Sequence, residues 1–237
     1  MKAALIIIGN EILSGRTKDK NLTYLAEWLN EIGIQLYEVR VIRDDEQEII
    51  ECVNLLKNKY DYVFTTGGIG PTHDDITTAS IAKAFNVELE TNTTALAILK
   101  SYYKEGELNE ARLKMTLLPQ GAELVENPVT KAPGFKMDNV FVMAGIPSIM
   151  QGMLEGARKF LQTGSKMASR SRDIFMPESH VANELSKLQD SYPDVEIGSY
   201  PFNKDGRFGT SLVMRSIDSN KLDLCSQDLE LMLKKLT

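Results

Sequence analysis

Within the first 85 residues, strand-type and helix-type apolar patterns alternate three times, which restricts the chain to few folds. Residues 3–8, Ala-Ala-Leu-Ile-Ile-Ile, form an unbroken apolar run that ends at Gly9. Such a run suits a strand covered on both faces in a parallel sheet, because none of its side chains needs water. From Asn21 the spacing turns helical, with Leu22, Leu25, Trp28, Leu29 and Ile32 on one face and Gly33 as a stop. Residues 35–42 read as a second strand, 46–58 as a second helix, 61–66 as a third strand and 77–85 as a third helix. This order implies an α/β fold, a doubly wound and mostly parallel sheet whose ligands gather at the carboxyl ends of its strands.

Three separated segments should therefore meet at one edge of the sheet. They are Gly9-Asn-Glu-Ile-Leu-Ser-Gly15, Arg43-Asp-Asp-Glu46 and the loop from Gly67 to Asp75. The last is the richest, reading Thr65-Thr-Gly-Gly-Ile-Gly-Pro-Thr-His-Asp-Asp-Ile-Thr77. Its glycines let backbone N–H groups turn inward towards a ligand, and the helix behind it adds unsatisfied N–H groups. The loop suits a phosphate, and Asp74 and Asp75 suit a metal ion or a polarised water. A tight strand-to-helix turn with acidic caps is the competing reading. Ser14 and Thr72 are candidate donors to phosphate oxygens, although turn hydroxyls commonly satisfy local backbone. His73 has no second histidine near it in sequence.

Residues 92–115 read as helical, 140–143 as a strand and 149–161 as a helix, with turn formers over 127–134. Residues 162–171 are small, polar and basic and mark a boundary. Beyond it the pattern is strand 172–176, helix 179–189, strand 195–200, strand 210–216 and helix 222–236, a small C-terminal α+β domain. The expected domains are 1–165 and 170–237.

Composition narrows the function. The 237 residues carry a net charge of −6, which argues against a nucleic-acid partner, since phosphate backbones need basic surfaces. No stretch has membrane-spanning length, and the short run after Lys2 is too brief for a signal peptide, so a cytoplasmic protein is expected. Cys52 and Cys225 lack metal-ligand spacing and read as buried thiols. His180 at a helix start reads as structural, and Trp28 as core. Asn109, Arg112 and Lys114 form a polar patch that either binds an anion or is a solvated helix face.

The first domain resembles the molybdopterin-binding, molybdenum cofactor biosynthesis family, and the whole chain resembles the amino-terminal region of the CinA family. The residues behind this are Gly9 to Gly15, Thr65 to Thr77, Asn127-Pro128 with Ala132-Pro133-Gly134, and Gly145-Ile-Pro-Ser148. Pro177-Glu-Ser179 and Ile197-Gly-Ser-Tyr-Pro201 extend it into the second domain. The resemblance implies a phosphate-bearing ligand on Thr66, Gly67, Gly68 and Gly70, and catalytic aspartates at Asp45 and Asp75. It implies hydrolysis of ADP-ribose to AMP and ribose 5-phosphate with a divalent metal, Mg, Mn or Co, held by Glu11, Asp45, Asp74 and Asp75. A transferase of molybdenum cofactor assembly, or a non-catalytic pterin- or nucleotide-binding module, is the alternative. Two positions depart from the family pattern. Asn10 is neutral where an acid is usual, and the usual Gly-Thr pair before Ala-Pro-Gly is Thr130-Lys131, whose lysine either grips a second phosphate or lies solvated. A homodimer is expected, and the deamidase activity of a further domain common in the family is not expected of these residues.

Overall fold

A computed structural model describes residues 1–104 and 106–236, which pack into two compact units, Met1–Gly164 and Ser165–Thr237. In the first unit the chain runs β1 (Lys2–Ile8), α1 (Asn10–Leu13), α2 (Asn21–Glu31), β2 (Gln35–Ile42), α3 (Glu46–Lys57), β3 (Tyr62–Thr66) and α4 (Thr77–Ala84). It continues through β4 (Leu89–Thr91), α5 (Thr93–Tyr102), α6 (Glu110–Lys114), β5 (Leu117–Pro119), β6 (Glu123–Val125), β7 (Gly134–Met137), β8 (Val140–Met143) and α7 (Pro147–Ala157).

The main sheet has the order β2-β1-β3-β8-β7-β6. The first four strands pair in parallel, and β7 and β6 are added through antiparallel pairings. The expected mostly parallel, doubly wound sheet is present. Its side chains sort into two cores by strand alternation. Ala3, Leu5 and Ile7 of β1, Phe64 of β3 and Phe141 of β8 meet Leu25, Trp28 and Leu29 of α2 and Met150 and Leu154 of α7. Ala4, Ile6 and Ile8, with Val63, Val140 and Val142, meet Ile49, Val53 and Leu56 of α3 and Ile81 of α4. Phe64 stacks on Phe141 with ring centroids 5.0 Å apart. Trp28 is buried as read, and its Nε1–H donates to Glu155 Oε1 at 2.7 Å, which ties α2 to α7.

Three local expectations change. The stretch 92–115 holds two helices, α5 ending at Tyr102 and α6 beginning at Glu110, and Asn109 starts α6 as its N-cap, accepting from Arg112 N at 3.0 Å. The helix expected at 149–161 starts earlier, at Pro147, whose fixed φ suits a first turn. Short strands β4 and β5 form an antiparallel pair outside the main sheet; β5 overlaps the strand and loop expected from Leu118 to Ala122, and β4 is new.

The second unit contains β9 (Ala168–Ile174), α8 (Glu178–Ser191), β10 (Glu196–Lys204), β11 (Arg207–Ser216) and α9 (Ser219–Leu236). Its sheet order is β10-β11-β9, all antiparallel, and β9 begins four residues before the expected strand. Val181, Leu185, Leu212, Met214, Leu222, Cys225 and Leu229 fill its core. Both cysteines are free and buried, and desolvation raises the pKa of each, that of Cys225 to about 11.

Candidate functional site

A cleft of about 690 Å³ opens at the carboxyl ends of β1, β3 and β8. The glycine loop after β3 forms its floor, and the loop's shape is imposed by close backbone approach. Gly67 has φ 109°, and a Cβ there would lie 2.1 Å from Ile8 O. Gly68 has φ 67°, and a Cβ would lie 2.2 Å from Thr77 Oγ1. A side chain at Gly67 would collide with fixed backbone, and one at Gly68 would displace the Thr77 side chain from a left-handed backbone. Gly67 N–H donates to Met143 O at 3.1 Å and Thr77 N–H donates to Gly68 O at 3.0 Å, so both ends of the loop are anchored. Between those anchors, the N–H groups of Gly68, Ile69 and Gly70 have no acceptor among the described residues. Backbone donors are rarely left unsatisfied, and three in succession on a concave turn are suited to receive an anion.

The orphan side-chain oxygens gather at the same end of the sheet. Thr65, Thr66 and Thr77 Oγ1 and Asn21 Oδ1 are buried and unpartnered among the described residues. Asn21, which the sequence reading did not single out, also donates from Nδ2 to Gly145 O at 2.8 Å, pinning α2 to the loop after β8. The Asn127–Pro133 wall is held by one side chain. Asn127 donates to Thr130 Oγ1 and Ala132 O at 2.6 and 2.7 Å and accepts from Val129 and Thr130 N–H.

Glu11, Asp44, Asp74 and Asp75 line the cleft together with Gly67, Gly68 and Gly70. Asp75 Oδ2 accepts from Thr72 N at 2.8 Å and from the Thr72 hydroxyl, so Thr72 serves the loop itself. The same hydroxyl, with backbone help, holds Asp74 below the usual carboxylate range. Lys114 Nζ binds the carbonyls of Thr72 and Asp75 at 2.5 and 3.0 Å and clamps the loop from outside.

Other expected residues lie elsewhere. Asp45 is outside the cleft lining, because it is the N-cap of α3 and its Oδ1 accepts from Glu48 N–H at 3.0 Å. Its neighbour Asp44 takes the cleft position, accepting from Asn10 N–H at 2.8 Å. The Asp45-x-x-Glu48 spacing was the readable sign of a cap. Ser14 donates to Glu11 O at 3.2 Å on the surface, and Thr66 lies buried beneath the loop. Lys131 is exposed with φ 64°, and Thr130 lines the cleft in its place. His73 is almost fully exposed, and His180 is exposed on α8. Thr78 and Ala79 in the first turn of α4 border a neighbouring cavity of about 70 Å³, so the helix start serves that space and not the main cleft.

Among the described residues, no group of three or more His, Cys, Asp or Glu side chains is placed to hold a metal ion alone. Four carboxylates on one cleft still suit a hard divalent cation that completes its shell with water and ligand phosphates.

A family model described as "Probable molybdopterin binding domain" matches residues 4–163, and one described as "FAD synthase, middle domain" matches 166–237. A protein of Archaeoglobus fulgidus is 36% identical over 203 residues, covering 85% of this chain and 86% of that one. A CinA-like protein of Flavobacterium psychrophilum is 31% identical over 250 residues, covering 100% of this chain and 58% of that one. The chain thus spans somewhat over half of that relative's length. Among solved structures, the protein CinA with unknown function from Thermoplasma acidophilum is 34% identical with a TM-score of 0.62. That match covers 68% of this chain and 98% of the other. The chain belongs to the molybdopterin-binding domain family, in its CinA-like branch. No helix among the described residues is long and apolar enough to cross a membrane.

Proposed function

We propose that this protein is a metal-dependent nucleotide-sugar pyrophosphatase whose substrate is ADP-ribose and whose products are AMP and ribose 5-phosphate. The observation that carries the reading is the run of unpaired N–H groups at Gly68, Ile69 and Gly70, set among four carboxylates. The amides bind phosphate oxygens and stabilise charge that grows on them as the pyrophosphate bond breaks. Asp44 and Asp75 are the principal metal donors, with Glu11 and Asp74 beside them, and Asp75 has an oxygen left to orient a water. A bound Mg²⁺, Mn²⁺ or Co²⁺ would neutralise the pyrophosphate. Asp45 takes no part, since its carboxylate is committed to the helix cap.

The test is hydrolysis of ADP-ribose by the purified chain with each metal and with a chelator. The expected result is metal-dependent AMP release, reduced about 100-fold or more in Asp75→Asn. The amide oxygen introduced by that change can still accept from Thr72 N–H, so the fold should persist. Absence of turnover in the wild type would sink the hydrolase reading. The second reading, a pterin- or nucleotide-binding module, is favoured by the neutral Asn10, whose N–H donates to the cleft residue Asp44, and predicts binding without turnover. We also propose a homodimer, since the edge strand β2 exposes Tyr37, Val39 and Val41; a monomer mass by light scattering would refute it.

A further inference from the structure

We propose that Arg112 is a second anion anchor of the cleft, so that the site takes ligands bearing two linked anionic groups, such as a diphosphate. The inference rests on the phosphate-binding reading of the glycine loop and extends it to a separate wall. Of the polar patch Asn109, Arg112 and Lys114, the structure leaves one member for a ligand. Asn109 caps α6, and Lys114 is spent on two loop carbonyls. Arg112 lines the cleft, and it is the one basic side chain among the described lining residues, facing a site that holds four carboxylates.

A half-buried guanidinium in such a place would be expected to pair with an acid. Among the described residues it forms no ion pair with Glu11, Asp44, Asp74 or Asp75. It is held by neutral partners instead. Its carbon lies 4.2 Å from the centroid of the Tyr103 ring, and Nη1 donates to Glu107 O. Tyr103 itself lines the cleft. Stacking on an aromatic face fixes the plane of the fork at little entropic loss, while Nε and Nη2 donate to no acceptor among the described residues. This arrangement presents a charge that is oriented and that has no acidic partner among the described residues. An anion would supply the missing partner, and the loop amides supply a second set of donors for a linked one. Tyr103 then acts as a positioning residue, through its ring and not its hydroxyl.

The experiment is calorimetric titration of the full chain with inorganic pyrophosphate, with ADP-ribose, and with adenosine as the uncharged control. Arg112→Ala should weaken pyrophosphate binding about 10-fold or more, the size of a lost charged hydrogen bond. Arg112→Lys should recover part of it, because a point charge lacks the fork. Adenosine should be indifferent to both changes. Tyr103→Phe should bind like the wild type and Tyr103→Leu should lie between wild type and Arg112→Ala, a rescue that a merely structural role would not show. Arg112→Gln, which keeps the packing, guards against a fold defect, with circular dichroism as the check. Unchanged pyrophosphate affinity in Arg112→Ala and Arg112→Gln, or no pyrophosphate binding by the wild type, would overturn the proposal. Arg112-dependent pyrophosphate binding without ADP-ribose hydrolysis would overturn the hydrolase reading alone. Hydrolysis with an unchanged KM in Arg112→Ala would overturn this inference and leave that reading standing.

Discussion

The two sheets of this protein handle burial in opposite ways. In β1, β3 and β8 nearly every residue is buried, because helices cover both faces and alternate side chains enter separate cores. In β11 burial alternates, with Thr210, Leu212, Met214 and Ser216 inward, and most of β9 is exposed. A sheet covered on both sides has no face left for a ligand, so its chemistry collects where the strands end and the backbone turns. There the unpaired amides, the orphan threonine hydroxyls and the four carboxylates are found. A one-faced sheet keeps an open surface and shows its exposed aromatics, Phe175, Tyr200 and Phe208, in the second unit.

The sharpest way to break this contrast is to cut one aromatic from each sheet. Phe141→Ala, in the fully buried stack with Phe64, should cost about 3–5 kcal/mol in urea unfolding. Phe208→Ala, 75% exposed, should stay within about 0.5 kcal/mol of wild type. Equal losses would show that the two sheets are buried alike.

Next in size is the loop. Gly67→Ala forces a Cβ against Ile8 O at φ 109° and should cost about 2 kcal/mol or more, with pyrophosphate binding lost. Wild-type affinity in that variant would mean the loop amides are not the anion seat.

A smaller effect separates two neighbouring aspartates. Asp45→Ala should cost about 1 kcal/mol by loss of the helix cap and leave the cleft's affinity unchanged, while Asp45→Asn restores stability. Asp44→Ala should do the reverse, weakening metal-dependent turnover. If Asp45→Asn abolished turnover while Asp44→Ala spared it, the assignment drawn from the cleft would be wrong.

The smallest effect is a pH dependence at the outer strand. Hydrogen bonds from Lys59, Tyr60 and Arg40 hold the Glu38 carboxyl at about 2. The unfolded carboxyl titrates near about 4.3. The folded value is the lower, so the stabilisation is complete above that pH and fades as pH falls towards 2. Glu38→Gln should be less stable than wild type by about 1 kcal/mol at neutral pH, after allowance for solvent screening. The gap should close in acid. A gap that persisted at the lowest pH would assign it to packing.

The legible and illegible parts of this chain differ for physical reasons. The run Ala3 to Ile8 and the face Leu25, Trp28, Leu29 were readable because each repeats its period over enough residues. β8 was readable at 140–143 as a short apolar run, whereas β4, β6 and β7 have three or four residues each, too few to display a period, and each of them enters an antiparallel pair. The helix 92–115 was over-read because helical apolar spacing resumes at Ala111, Leu113 and Met115, although Gly106 and the cap Asn109 stand before it in the sequence. In the site, Gly67 and Gly68 were readable because glycine is the residue that positive φ and close backbone approach favour, whereas Asp45 and Asp44 are identical as letters. Which of two adjacent carboxylates caps a helix depends on where the helix begins, to the residue.

The sequence by itself determined the alternating α/β order, the edge at which the loops converge and the glycine turn, because these follow from local periods and allowed φ angles. Only the tertiary structure decided which donors remain unspent. Lys114 and Thr72 are consumed by loop atoms that are distant in sequence or folded back on themselves, and Arg112 is left oriented on Tyr103. A hydrogen-bonding group is available to a ligand only after every internal partner has been placed, and that placement belongs to the whole fold.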